Sequence, residues 1–306
     1  MAKIEFYKQG YDFSEFEGCV CTCGVFDGLH RGHASLISST INCASQLNVP
    51  SICITFNIDP DELFNAKKFK KIMTNSSRIE SLANCGFDRV IVLDFTLEFA
   101  SLPYKEFINN VFKALRPAHI FVGDNFRFGK QGEGRIEDLI ILSKTCNVQV
   151  NAINLNSYHN QIVSSSAIRS LLACSDVKRA NDFLGHRYML HGVVTAGRGQ
   201  GADMGFATAN LNIPSNLMAL AQGVYAAYCS VCGTNYKAAV CLGVPPTFEN
   251  SQANCEVHIL NFAEDIYGRE ISLSYVEFLR PLEKFSSEKQ LIEAVTQNIE
   301  WVKNNL

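Results

Sequence analysis

Two rhythms of apolar and polar positions run along this chain, and one gives way to the other near residue 185. In the first stretch, apolar runs of strand length alternate with segments whose apolar residues return every three to four positions. Cys19 to Phe26 reads as a strand, and Ala34, Ile37, Ile41 and Ala44 then recur at helical spacing. "SICITF", Ser51 to Phe56, reads as a buried strand. A helix from about Asn75 to Asn84 leads to the strand "RVIVLDF", and "PYKEFINNVFKAL" reads as a helix before the strand "HIFVGDNF". "RIEDLIILSKT" is helical again, "VQVNAINL" is a strand, and the helical stretches "SSSAIRSLLA" and "SDVKRANDFL" close this half. Strands alternating with helices predict an α/β fold, with a mostly parallel sheet covered by helices on both faces.

From Tyr188 onward the pattern is that of short strands: "YMLHGVV", "GVYAAYCSV", "YKAAVCLGV", "CEVHILNF" and "ISLSYVEFL". "CGTN", Cys232 to Asn235, suits a hairpin turn between two of them. The last segment, "SSEKQLIEAVTQNIEWVKNNL", has Ser286 or Ser287 as a cap and Leu291, Val295 and Ile299 as an apolar stripe. Short strands followed by one terminal helix predict a small antiparallel β-barrel. The expected boundary lies between Leu184 and Tyr188, giving domains at 1–185 and 186–306.

Composition narrows the function classes. At 306 residues the chain suits two domains, and 47% hydrophobic against 19% charged residues suits packed cores rather than disorder. A formal charge of -3 gives no overall pull toward nucleic acid or an anionic membrane, so neither is expected as a partner. There is no apolar run of 18 residues, and "MAKIEFYKQG" lacks the apolar centre of an export signal. Twelve cysteines in a chain of this kind are expected to be reduced thiols in a cytoplasmic protein. Self-association stays open.

The chemistry concentrates first in "CVCTCGVFDGLHRGH". On a strand, Cys19, Cys21 and Cys23 point to one face, where they could converge on a metal or pack as small apolar groups. Metal sites more often space their cysteines by two or more residues, so packing is the expectation. Asp27 and Gly28 mark a tight turn into a helix, with His30 and His33 on one side of its start. A helix N-terminus favours anions, and two imidazoles there can donate to phosphate oxygens. Taken alone, the pair reads more readily as surface histidines than as a phosphate site.

The histidines have company. "GVFDGLHRGH" resembles the G-x-F-D-G-x-H-x-G-H signature of the adenylyltransferase half of the bacterial bifunctional riboflavin kinase/FAD synthetases. "VGDNFRFGKQGEG", "VSSSAIRSLL", "RANDFLGHRY", "GFATANL", "LGVPPTFEN" and "EVHILNFAEDIYGREISLSYVEFLR" resemble further motifs of that family, in family order over nearly the whole chain.

The resemblance implies a Rossmann-like nucleotidyltransferase domain followed by a riboflavin kinase barrel. It implies two substrate sets, ATP with FMN and ATP with riboflavin, and Mg2+. For the first reaction it implies that His30 and His33 handle the ATP phosphates, with Arg169 among the catalytic groups. Gly24, Phe26, Asp27 and Gly32 belong to the same turn, with Gly24 and Gly32 expected to allow close approach of the nucleotide. Asn125 is expected at nucleotide or FMN phosphate, and Ser164, Ser165 and Ser166 beside Arg169 at the triphosphate. For the second reaction it implies Gly205, Thr208 and Asn210 at Mg-ATP, with Thr208 and Asn210 as metal ligands and Glu256 as base. The Gly-rich "GRGQG", Gly197 to Gly201, suits a flap over phosphates.

Two departures stand out. Asn57, Ile58 and Asp59 replace the Glu-Pro-His of the family's T-F-E-P-H-P, leaving the flavin contacts of that loop in question. Ala207 replaces a proline, which loosens the loop by roughly 0.4–1 kcal/mol of entropy. The alternatives are therefore a single-function FMN adenylyltransferase with an impaired barrel, and a non-catalytic flavin-binding protein. A relative acting on another acceptor fits poorly with the kinase barrel in the same chain.

Overall fold

The computed structural model describes residues 1–7, 12–65, 68–154, 161–196, 206–243 and 254–306. The chain divides into two compact units, residues 1–165 and 166–306.

The first unit is built on a six-stranded parallel sheet: β1 (Lys3–Tyr7), β2 (Val20–Cys23), β3 (Ser51–Phe56), β4 (Arg89–Leu93), β5 (His119–Gly123) and β6 (Gln149–Ile153). Its order is β1-β4-β3-β2-β5-β6. After β2 the chain adds strands on one side, then crosses to place β5 on the other. The C-terminal end of β2 is therefore the switch point, where open α/β sheets leave a crevice for ligands. Strand β2 stops at Cys23 rather than Phe26, because Phe26 takes a φ of 61° that no strand sustains.

The sheet is covered on both faces, as its uninterrupted apolar strands require. On one face Cys19, Cys21 and Cys23 are buried with Phe107, Val111, Phe112 and Leu139. Those partners come from α5 (Tyr104–Phe107), the wide π-type turn that continues it (Ile108–Lys113), and α6 (Ile136–Cys146). On the other face Val20, Cys53, Val90 and Val92 pack against α1 (Arg31–Leu47) and α3 (Asn75–Ala83). Two short helices, α2 (Pro60–Asn65) and α4 (Leu97–Ala100), follow β3 and β4. All twelve cysteines are free. Burial pushes the Cys23 thiol up to about 12, so it packs as a small apolar group.

The second unit is a closed antiparallel barrel of β7 (Met189–Thr195), β8 (Ala209–Asn212), β9 (Gly223–Val231), β10 (Thr234–Gly243), β11 (Asn254–Ile259) and β12 (Glu270–Arg280), in the order β10-β11-β8-β7-β12-β9. Cys232 and Gly233, with φ of 49° and 83°, form the two-residue turn between β9 and β10. Positive φ at both positions matches the right-handed twist of the flanking strands. Helix α9 (Glu288–Asn305) is capped by Ser287, whose Oγ accepts from Gln290 N at 3.3 Å. It packs against the barrel through Val302, with Ile299 and Trp301 beside it.

Helix α7 (Ser165–Ala173) leads into α8 (Val177–Leu184), which packs against β12 of the barrel. Ser175 Oγ and Tyr225 OH lie 2.9 Å apart, and Asn181 Nδ2 donates to Tyr275 O at 2.9 Å. The hydrophobic pattern groups these helices with the first half; by their contacts they fall in the second unit, apart from Ser165.

Candidate active sites

The first site begins where β2 ends. Gly24, Val25, Phe26, Asp27, Gly28 and Leu29 lead into α1, and three of them have positive φ: Phe26 at 61°, Gly28 at 82° and Leu29 at 43°. For the two non-glycine residues this is strained backbone, which persists only when its surroundings hold it. A Cβ on Gly24 would meet the Phe26 ring at 3.2 Å, so here the glycine makes room for that ring. Gly32 is buried in the first turn of α1.

His30 caps α1, its Nδ1 accepting from His33 N at 3.4 Å. That bond puts the His30 proton on Nε2, free to donate elsewhere. The two imidazoles stack with centroids 3.7 Å apart and planes 16° apart, and the Phe26 ring meets His33 edge-on at 5.2 Å. Burial pulls His30 down to about 4, while burial and then His30 hold His33 well below its usual value. Both rings are neutral at pH 7, and His33 Nδ1 is buried with no hydrogen-bond partner among the described residues. The pair thus offers neutral imidazole donors at the positive end of a long helix.

The turn is tied down on two sides. Asp27, 4% exposed, accepts from Ile72 N through both carboxylate oxygens at 3.1 Å and from Met73 N at 3.3 Å. Its carbonyl accepts from Ser165 Oγ at 2.9 Å, which joins the serine motif to the histidine turn. Ser164 belongs to the first unit with Ser165; Ser166 and Arg169 stand on the first turns of α7 in the second. Asn125 is exposed in the turn after β5, next to the bond from Phe126 N to Gly123 O.

The substituted loop after β3 is a closed network. Asn57 Oδ1 accepts from Phe95 N at 2.8 Å and its Nδ2 donates to Asp94 Oδ1, joining the ends of β3 and β4. Asp59 is 5% exposed, and its Oδ1 accepts from Asp61 N at 2.9 Å. Burial raises the Asp59 carboxyl to about 6, against the pull of that bond. Lys71 Nζ is paired with Glu62 at 2.7 Å, and Asn75 Nδ2 donates to Glu62 Oε2 at 3.0 Å.

Two features went unread in the sequence. One is Arg78, 2% exposed, whose guanidinium reaches the ends of both β2 and β3. Its signal was present: Arg78 stands four residues before Leu82, on the apolar side of α3. The other is a run of aromatic contacts beyond the C-terminal ends of β3, β4 and β5. Phe56 meets Phe95 edge-on at 5.2 Å, Phe95 meets Phe99 edge-on at 5.7 Å, Phe99 meets Phe107 edge-on at 5.9 Å, and Phe107 meets Phe128 at 5.3 Å with the rings tilted by 35°. Phe95 and Phe99 remain partly open.

The second site lies on the barrel. Glu256 of β11 stands directly across from Asn210 of β8 and from Cys241 of β10. Direct partners of an antiparallel ladder share a face, so these side chains are neighbours. Burial, then the Glu256 carboxylate, push the Cys241 thiol up to about 11. Thr208, two residues before Asn210, is half-buried, as are Asn210 and Glu256. The Ala207 carbonyl accepts from His258 Nδ1 at 2.9 Å, and Phe206 meets the His258 ring edge-on. Beside Thr208 is a cavity of about 280 Å³ lined by Val194, Ile259, Phe262, Asp265 and Tyr267 among others. Gly205, the "GRGQG" run and most of "LGVPPTFEN" lie outside the described residues.

Thr208 and Asn210 supply neutral oxygens on one edge of the barrel. That set suits an Mg2+ that arrives with nucleotide phosphates, rather than one caged by protein alone. Among the described residues, no group of three or more His, Cys, Asp or Glu is placed to hold a metal.

A parallel-sheet unit with an HxGH turn at its switch point is followed by a small closed barrel in which Asn210 faces Glu256 across a ladder, with Thr208 just before β8; the family matches make this a nucleotidyltransferase joined to a kinase. Residues 12–167 match the FAD synthetase family and residues 184–306 the riboflavin kinase family. The bifunctional riboflavin kinase/FMN adenylyltransferase of Listeria monocytogenes is 32% identical over 276 residues, covering 89% of this chain and 88% of that one. The same-named protein of Escherichia coli K12 is 33% identical over 281 residues, covering 90% and 88%. The chain belongs to the bifunctional riboflavin kinase/FMN adenylyltransferase family. A crystal structure of a protein titled macrolide-efflux protein, from Streptococcus pneumoniae, has a TM-score of 0.86 at 27% identity, covering 98% of this chain and 99% of that one. Among the described residues of this chain, no helix is long and apolar enough to cross a membrane.

Proposed function

We propose that residues 1–185 transfer AMP from ATP to FMN, giving FAD and pyrophosphate, and that residues 186–306 phosphorylate riboflavin to FMN. The observation that carries the first assignment is the stacked, neutral His30–His33 pair on a turn braced by Asp27. FMN's phosphate oxygen bonds to the α-phosphorus of ATP, and the bond to the β-phosphate oxygen breaks. Little proton transfer is needed, so the catalytic task is positioning and charge neutralisation. His30 Nε2–H and the His33 ring donate to the triphosphate, joined by the N–H groups at the start of α1, by Ser164, Ser165 and Ser166, and by Arg169. Asn125 contacts phosphate at the rim. The partly open Phe95 and Phe99, backed by Phe56, support an apolar berth for the flavin ring. The Asn57-Ile58-Asp59 loop frames that berth through its own bonds.

In the kinase half, riboflavin's primary alcohol attacks the γ-phosphorus while Glu256 takes its proton, and the bond to the β-phosphate oxygen breaks to release ADP. Thr208 and Asn210 would hold an Mg2+, which would screen phosphate charge. The mainly apolar cavity beside Thr208 takes the adenine of this second ATP. The His258–Ala207 bond fixes the loop that proline would have stiffened, which supports a working kinase over the single-function alternative. Partners are small molecules, and twelve free cysteines support a reducing cytoplasm as the working location.

A product time course with riboflavin, ATP and Mg2+ tests this. FMN followed by FAD is expected. FAD formed only from added FMN would establish the single-function reading, and neither product would leave a flavin-binding protein.

A further inference from the structure

Arg78 is one of the largest fully buried side chains of the chain, and a buried guanidinium needs a reason. Its Nη1 donates to Val25 O at 2.8 Å and to Thr55 Oγ1 at 2.6 Å. Its Nη2 donates to Phe56 O at 2.7 Å and Asn75 Oδ1 at 3.3 Å. One arm of the fork thus holds the residue just before the strained Phe26, and the other holds the last residue of β3. A planar guanidinium with donors aimed in two fixed directions can bridge two strand ends; an ammonium on a flexible stem cannot do so with the same rigidity.

The same segment grips the turn a second time. Ile72 N and Met73 N bind the Asp27 carboxylate from the chain just ahead of α3, the helix that carries Arg78. The turn is therefore held at Val25 and at Asp27 by residues 72–78, on either side of the positive φ at Phe26. Backbone in that region relaxes unless it is over-determined, and here the determinants are visible. Asp27 and Asp59 lie close enough to favour the charged guanidinium against its burial.

We propose that Arg78 is a positioning residue for adenylyl transfer: its guanidinium fork keeps the turn that presents His30 and His33 in fixed register with the loop that follows β3. The inference rests on the reading that the histidine turn is the transfer site. Arg78 touches no reacting atom. It acts through two carbonyls, and its loss lets the histidine turn relax away from the geometry the α-phosphorus requires.

The test uses the full chain with Arg78→Ala and Arg78→Lys. FAD formation from FMN and ATP, and FMN formation from riboflavin, are measured in the same preparation. Misplacing catalytic groups by about 1 Å can lower a rate about 100-fold, and a loss of that size in kcat is expected for Arg78→Ala, with a smaller change in KM for ATP. Riboflavin phosphorylation is expected to stay within about twofold, since β7 to β12 do not involve Arg78. Guanidinium chloride added at low concentration is expected to restore part of the Arg78→Ala rate. Arg78→Lys keeps the charge but gathers its donors on one nitrogen in place of the planar fork, so it is the variant that guards against simple unfolding. In it, amide exchange at residues 26–30 is expected to accelerate while the interiors of β3 and β4 stay protected, with kcat still about tenfold low. FAD formation within about threefold of the parent in both variants would overturn the proposal. So would a loss of protection throughout the sheet of Arg78→Lys that tracks the lost rate, because Arg78 would then be only structural. His30→Ala and His33→Ala serve as the separate check: full FAD formation in them sinks the site reading itself, whatever Arg78 does.

Discussion

The two sites of this chain are built in opposite ways. The histidine turn of the first unit is buried and cross-tied, with Asp27 bound to two backbone amides and Arg78 to two carbonyls. The kinase residues Asn210 and Glu256 are half-exposed partners across one strand ladder, and half-exposed Thr208 stands just before β8. In the first site the protein has fixed a strained backbone, so damage is expected to spread through the network. In the second site strand register does the positioning, so changes to single side chains are expected to act locally. The two departures from the family pattern behave accordingly. Asn57 and Asp59 have been absorbed into a web of bonds, whereas Ala207 is compensated by one contact to His258.

The sharpest way to break this contrast is at Glu256. Removing a positioned base lowers rate by about 10²–10⁴-fold, so Glu256→Gln is expected to abolish most FMN formation in a riboflavin phosphorylation assay. FMN adenylylation in the same sample is expected to be unchanged. His33→Ala is next. Loss of one preorganised donor lowers rate by about 10²–10³-fold, and here FAD formation is expected to fall while riboflavin phosphorylation persists.

Asp59→Asn sharpens the contrast through stability. In the folded protein the Asp59 carboxyl sits at about 6, above its usual value of 3.8, because burial disfavours its charge. The folded state thus binds the proton more tightly than the unfolded state. Asp59 contributes most below the unfolded pKa, and that stability is lost as pH rises through about 6. Asn keeps the acceptor for Asp61 N and removes the charge, so the variant is expected to be more stable than the parent at pH 8, on the order of 2 kcal/mol. The gap is expected to close toward pH 4. His30 and His33 pull the other way, losing stability as pH falls below 6.5, but they do so in both proteins and cancel from the difference. Denaturant melts of parent and variant across that range check it. The smallest effect belongs to Ala207→Pro, expected to raise barrel stability by about 0.4–1 kcal/mol with kinase activity within about twofold.

Much of this contrast could be read from the residues in order. The alternation of strands and helices gave the parallel sheet, because strands buried on both faces must be apolar throughout. "CGTN" gave the β9–β10 hairpin, because Cys232 and Gly233 take the positive φ that such a turn requires. The HxGH turn was legible as a motif, and its helix start as an anion site. Other parts were not. Strand β8 was missed because "ANLN" is short and carries two polar side chains, yet it delivers Asn210 opposite Glu256. The role of Arg78 was hidden because a lone arginine within an apolar helical face normally reads as a break in the pattern. Its partners, Val25 and Phe56, are 53 and 22 residues away, and only the packing of α3 onto the sheet brings them together. The flavin contacts of the Asn57-Ile58-Asp59 loop stayed in question because its partners Phe95 and Asp61 contribute only backbone N–H groups that no sequence motif marks.

The most direct measurement is a crossed product time course. Parent, His33→Ala and Glu256→Gln are each given riboflavin, ATP and Mg2+, and in a second set FMN, ATP and Mg2+, with flavins separated by chromatography. His33→Ala is expected to accumulate FMN and make little FAD, and Glu256→Gln to leave riboflavin untouched while converting added FMN to FAD. If either substitution stops both reactions, or if both variants match the parent, the assignment of one chemistry to each site is contradicted.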